Sequence, residues 1–220
     1  MKRKTQKKGS SSVYAIILIA ILAVSLFLFY SENLKGAFKI NSVEGSVNIF
    51  IDGEDKGFSE ITKEGQTVEL KEGSHSIILS QENYWPWAKE IQISKQQTTD
   101  IYPFFVPINS SGFIIPNTDP EYSNIMAMFW KKIHIDWEMD ENTPEIIKEF
   151  KEEIRASDFY KDRTDVIIVA VQNGIFALEI DNGFMPNFQP IYKGTEPTFV
   201  KNGNNSLYVK DGELLMEVLY

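Results

Sequence analysis

Residues 40–53 run Ile40-Asn41-Ser42-Val43-Glu44-Gly45-Ser46-Val47-Asn48-Ile49-Phe50-Ile51-Asp52-Gly53, and the second half of that run decides the fold class. From Ser46 to Ile51 the side chains alternate with period two, the spacing of a strand with one buried face. Asp52-Gly53 follows, a strong tight-turn signal that predicts a hairpin.

The pattern continues on the carboxyl side. Gly57 ends the next excursion, Val68 and Leu70 lead to a turn at Glu72-Gly73, and Ser74-His75-Ser76-Ile77-Ile78-Leu79 follows. Ile91 and Ile93 alternate with Gln92 and Ser94, and Ile101-Tyr102-Pro103-Phe104-Phe105-Val106 closes the block. Turns this frequent, with no helical period, predict a small antiparallel β-sandwich over 37–106 that folds alone. Ile49, Ile51, Ile77 and Leu79 are its expected core.

These residues resemble the PEGA domain family. That family shows a Pro-Glu-Gly-Ala turn, a strand ending in Asp-Gly, then Gly-x-Thr-Pro, Leu-x-x-Gly-x-His and Gly-Tyr. Here Val43-Glu44-Gly45-Ser46 stands at the naming turn, Asp52-Gly53 ends the strand and Gly57 follows. Leu70-Lys71-Glu72-Gly73-Ser74-His75 fits the histidine step, and Tyr84 holds the tyrosine position. Ser59-Glu60 replaces Thr-Pro, and Asn83 replaces the glycine, a change that asparagine's tolerance of positive φ makes mild. With both prolines gone, the stretch resembles a divergent member. The resemblance implies an all-β domain at prokaryotic cell surfaces, akin to surface-layer-associated modules, without catalytic residues of its own. It also places His75 at a turn-to-strand step, as a hydrogen-bonded structural residue.

On the amino side, Lys2, Arg3, Lys4, Lys7 and Lys8 crowd residues 1–12 with no acid among them. An apolar run, Val13 to Tyr30, comes next. Eighteen helical residues span roughly 27 Å, close to a hydrocarbon thickness of about 30 Å. Tyr14 and Tyr30 bracket the run at interfacial depth. It exceeds the apolar region of a cleaved signal peptide, and Ser31-Glu32-Asn33-Leu34-Lys35 offers no small-x-small cleavage pattern. The expectation is an uncleaved single-pass anchor, with the basic tail cytoplasmic and the body extracellular.

Composition excludes several functions. The 220 residues include no cysteine and two histidines, His75 and His134. Thiol nucleophiles, Cys-ligated metals and disulfide scaffolds are absent, and a histidine triad has little to draw on. Without the five basic residues of the tail, 17 of the 22 remain against 31 acids, so the rest carries −14. A body that acidic disfavours nucleic acid, whose phosphates need Lys and Arg.

The distal half, 107–220, is β-rich with one amphipathic helix expected. Ile108 to Pro120 has the composition of a linker or loop-rich approach. Met126-Ala127-Met128-Phe129-Trp130 and Ile133-His134-Ile135 suggest one or two buried strands. Thr143 is a plausible N-cap with Pro144 in the first turn, and Ile146, Ile147, Phe150 and Ile154 share a helical face. Gln172-Asn173-Gly174 and Asp211-Gly212 each join two apolar runs as hairpins. Paired hairpins at this spacing resemble β-propeller blades, although a ring needs at least about four. Either a shortened propeller relative or a compact α+β domain fits.

Asp136-Trp137-Glu138-Met139-Asp140-Glu141-Asn142 alternates oxygen ligands, but a calcium loop starting at Asp136 needs Gly at its sixth position and Glu at its twelfth. Glu141 and Ile147 stand there, so a solvated acidic turn is expected. Walker, Rossmann, Gly-x-Ser-x-Gly and His-Glu-x-x-His motifs do not occur. Tyr84, Trp85 and Trp87 form the candidate partner-contact surface, since aromatic faces suit sugar rings and partner hot spots; the competing role is closure of the sandwich core.

The expected division is a tail (1–12), a transmembrane helix (13–30), a linker (31–36), a PEGA-like sandwich (37–106) and a β-rich domain (107–220). The expected function is a membrane-anchored extracellular binding or scaffolding protein of the prokaryotic envelope. Its partners would be the lipid bilayer and envelope protein or polysaccharide, with no cofactor, metal or catalysis. The alternative is an anchored hydrolase acting on polysaccharide through distal carboxylates.

Overall fold

The structure, a computed structural model, describes residues 10–32, 35–43, 45–133, 153–180 and 186–220. Helix α1 (Ser10–Glu32) leads into a body of strands. Its described side chains, Tyr14 and 16–29, are all exposed, Phe27 and Phe29 at 71%. Among the described residues no helix is long and apolar enough to cross a membrane. The unbroken run of described α1 side chains is 16–29, shorter than the apolar run Val13 to Tyr30.

β2 (Gly45–Ile51) and β3 (Glu54–Ile61) pair through Ile51↔Glu54, leaving Asp52 and Gly53 as the turn. Both have positive φ, 54° and 80°, the mirror-image turn whose twist matches flanking strands. β5 (Gly73–Ser80) and β6 (Trp87–Ile93) complete an antiparallel sheet of order β3-β2-β5-β6. Val47, Ile49, Ile51, Ile77 and Leu79 are buried, as one face of the period-two pattern requires.

The opposing sheet has order β4-β1-β7, from β1 (Lys35–Ile40), β4 (Gln66–Lys71) and β7 (Thr98–Ile101). The chain changes sheets between Lys71 and Gly73, with Gly73 at φ 144°. β1 and β7 run parallel, which corrects the wholly antiparallel expectation. β7 is reached from the other sheet rather than through a hairpin with β1, so no tight turn dictates its direction.

Among the described residues the distal region holds two four-stranded antiparallel sheets. β9 (Ala156–Phe159), β10 (Val166–Val171), β11 (Gly174–Glu179) and β12 (Phe188–Lys193) form a meander. β13 (Thr198–Asn202), β14 (Ser206–Asp211) and β15 (Leu214–Leu219) form the second sheet. β8 (Gly112–Ile114), which falls inside the expected linker, pairs with β15 and closes it. The expected hairpins are present, with turn residues Gln172-Asn173 and Gly212-Glu213. Two sheets do not make a ring. One face of β10, with Val166, Ile168 and Ala170, instead shares a continuous buried cluster with Trp87, Phe104 and Phe105 of the first module. Ile167 and Val169 on the other face form a second cluster with Leu178.

Met126 to Ile133 lies in helix α2 (Tyr122–Ile133), which corrects the strand expectation there. Asp119 caps the helix: its Oδ1 accepts from the Glu121 amide at 2.8 Å, and Pro120 follows it. Tyr122, Ile125, Met126 and Phe129 then fall on one face and pack with Leu215, while Trp130 faces out. His134, Ile135 and the expected helix from Thr143 through Phe150 lie outside the described residues. Ile154 is described, belongs to no helix, and packs beside Ile167 and Leu178.

Candidate functional site

The expected aromatic surface lies at the junction between the two modules. Asn83, at φ 65°, turns the chain. Its carbonyl accepts from the Ile108 amide, and the Trp85 amide donates to the Val106 carbonyl, both at 2.9 Å. Tyr84 bridges Pro107, and its ring meets Phe105 edge-on at 6.3 Å. Trp87 opens β6 on the same face as Ile91 and Ile93 and is completely buried. This corrects the three-ring surface: Trp87 is core, because the inward face of β6 is covered by the connecting segment and the distal sheet. Tyr84 and Trp85 are half-buried against the same cluster.

The segment joining the modules is held from the distal side. Gln189 Oε1 accepts from the Val106 amide at 2.8 Å, while its Nε2 donates to the carbonyls of Phe104 and Pro86 at 3.1 and 3.4 Å. Asn187 accepts from the Ala88 amide and donates to Glu179 Oε2, both at 2.8 Å. Glu179 Oε1 receives Lys89 Nζ at 2.9 Å. Glu179, Asn187 and Gln189 are buried, and each has a partner, which is what keeps buried polar groups from being costly. Tyr160 donates to the Phe105 carbonyl at 3.0 Å. Arg163 spends its guanidinium on the carbonyls of Tyr102 and Pro103 and on the Asp165 carboxylate. The two modules are thus stitched by side chains, with no free tether between them.

A pocket of about 270 Å³ opens beside this seam, lined by Ser42 and Gln81 from one module, Tyr160 and Lys161 from the other, and Tyr84 at the join. Lys161 Nζ sits 5.2 Å from the Tyr160 ring centre, a cation–π distance. Burial lowers the Lys161 ammonium below its ordinary value. Burial also pushes the Tyr160 phenol well up and that of Tyr220 to about 12. Ser42 and Lys161 both hold positive φ, 62° and 51°. Sequence reasoning passed over Lys161; the available signal was a basic pair, Lys161 and Arg163, between two strands of an acidic body. A second cleft, about 310 Å³, has Asp100, Asp165 and the Lys89–Glu179 pair in its wall.

His75 sits away from this seam. Its Nδ1 lies 2.7 Å from Asp52 Oδ2 and its Nε2 2.9 Å from the Lys71 carbonyl. Both acceptors suit a doubly protonated ring. Burial alone would lower the imidazole, yet the hydrogen bonds to Asp52 and Lys71 outweigh it and the net shift is upward. The histidine is a structural fastener, as the resemblance implied. Asp136 to Asn142 lies outside the described residues.

Residues 36–109 match the family model of the PEGA domain, and that segment is a PEGA domain. The match covers β1 to β7 and ends before β8. No curated protein matches the chain.

Proposed function

We propose that the protein is a single-pass membrane protein of the prokaryotic envelope, whose PEGA domain and distal sheets form one extracellular body that binds or scaffolds envelope partners. The observation that carries this reading is α1: its described side chains from Ile16 to Phe29 are all exposed, on every side of the helix. A helix apolar on every face needs a hydrocarbon environment. Lys2, Arg3, Lys4, Lys7 and Lys8 before it orient the amino terminus to the cytoplasm.

A scaffolding rather than hydrolytic role is supported by what four of the described distal carboxylates do. Asp165 is held below the usual carboxylate range chiefly by Arg163. Burial would raise Asp211, but the amides of Glu196 and Thr195 and the Tyr192 hydroxyl bring it down. A glycosidase acid needs the opposite shift. Glu217 accepts from Asn202 and Ser206, and Glu179 from Lys89 and Asn187. Protease added to intact cells tests the topology. Loss of the body with retention of a short basic membrane fragment is expected, whereas full protection of the body overturns the reading.

A further inference from the structure

We propose that the pocket at the module junction binds one carboxylate-bearing sugar unit, a uronic acid, with Lys161 contacting the acid group. Arg163, in the same pocket wall, is paired with Asp165, and Lys201 gives its ammonium to the Lys161 carbonyl. Lys161 has no carboxylate partner among the described residues; its ammonium is half-desolvated over the Tyr160 ring. A cation in that state gains more from an incoming anion than a hydrated surface lysine does.

The backbone points to the same place. Of the five described non-glycine residues with positive φ, Asp52 and Asn83 are types that tolerate it, whereas Ser42, Gln96 and Lys161 are not, and two of those three, Ser42 and Lys161, line this pocket. Strain of this kind gathers at ligand sites. The remaining wall sets the ligand class. One ammonium matches one negative charge, and a body at −14 without its tail repels a densely charged polymer. Gln81 and Ser42 offer neutral donors and acceptors for hydroxyls, and Tyr84 offers part of an aromatic ring. A uronic acid carries all three complements.

The proposal rests on the envelope-binding reading for its setting, but calorimetry on purified protein can fail without touching the topology, and the reverse. The full chain in detergent is titrated with glucuronic acid and with glucose. Glucuronic acid is expected to bind about tenfold more tightly or better, a preference that Lys161→Gln removes and Lys161→Arg largely keeps. Titration of the wild-type protein followed by lysine-selective NMR gives a measure that no variant's folding can disturb. The Lys161 side-chain resonance should move with glucuronic acid and stay with glucose. Equal binding of both sugars, or an unmoved Lys161 resonance, overturns the proposal. Tighter binding of N-acetyl-D-alanine than of glucuronic acid overturns the sugar assignment in favour of a peptide carboxylate.

Discussion

The imidazole of His75 reaches back 2.7 Å to the carboxylate of Asp52, so two family signatures separated in sequence meet as one ion pair. Asp52 takes the first positive-φ position of the β2–β3 turn, and its other oxygen accepts from the Ser76 amide at 3.0 Å. The second ring nitrogen holds the Lys71 carbonyl where the chain crosses between sheets. One charged ring therefore fixes a turn and a sheet crossing together.

Stability should follow the charge of that ring. The folded His75 value is raised, so its contribution is complete below the unfolded value of about 6.5 and fades as pH rises through the folded value. Asp52 is lowered, chiefly by the His75 hydrogen bond; its contribution is present above about 3.8 and fades as pH falls through the folded value. Thermal melts of His75→Gln against wild type should differ most near pH 5–6 and converge at alkaline pH. An equal loss at every pH would show that the imidazolium charge is irrelevant.

The Lys89–Glu179 pair should behave as a buried one, with side-chain exposures of 18% and 7%. Lys89→Met strands the Glu179 carboxylate and should cost about 3–5 kcal/mol in urea denaturation. Lys89→Met with Glu179→Leu should recover most of that loss. Additive losses in the double variant would mean that the two groups are not coupled.

Helix α2 makes a sharp distinction between neighbours. Phe129→Ala should cost about 3–5 kcal/mol and Trp130→Ala no more than about 0.5 kcal/mol, because Phe129 is buried and Trp130 is 62% exposed. On a strand, Trp130 would share its face with Met126 and Met128. A larger loss at Trp130 would restore the strand.

The PEGA segment cut out as 36–109 uncovers Trp87, Phe104 and Phe105, which the distal sheets help bury. It should bind a hydrophobic dye and melt below the full chain. A fragment as stable as the full chain, with no dye binding, would show that the seam adds nothing.

Turns were the legible part of this fold. Asp52-Gly53 announces a hairpin because few residue pairs accept the backbone that turn requires, and Gly212 marks another although its turn falls one residue later, at Gly212-Glu213. Strand direction was not legible, since a period-two pattern is the same read either way, and β7 beside β1 shows it. Met126 to Trp130 misleads because five apolar residues in a row fit either element. The deciding signal lay upstream at Asp119-Pro120, whose cap was hidden among linker residues. At the junction, Tyr84 to Trp87 drew notice for its rings. Lys89, Glu179 and Gln189 did not, because a polar residue on a strand ordinarily faces water, and only the apposition of two modules buries them.

The strand that follows α1 has a mechanical consequence. Only residues 33–34 separate Glu32 from Lys35, a reach of at most about 11 Å. β1 is flanked on both edges, by β4 and by β7. A pull applied through α1 along β1 therefore loads two ladders at once and in shear, with their hydrogen bonds lying across the direction of force. Such bonds yield together rather than one by one, as they do when a hairpin is peeled from its end. In the membrane-anchored arrangement proposed above, α1 would hold the body through a strand paired on both edges.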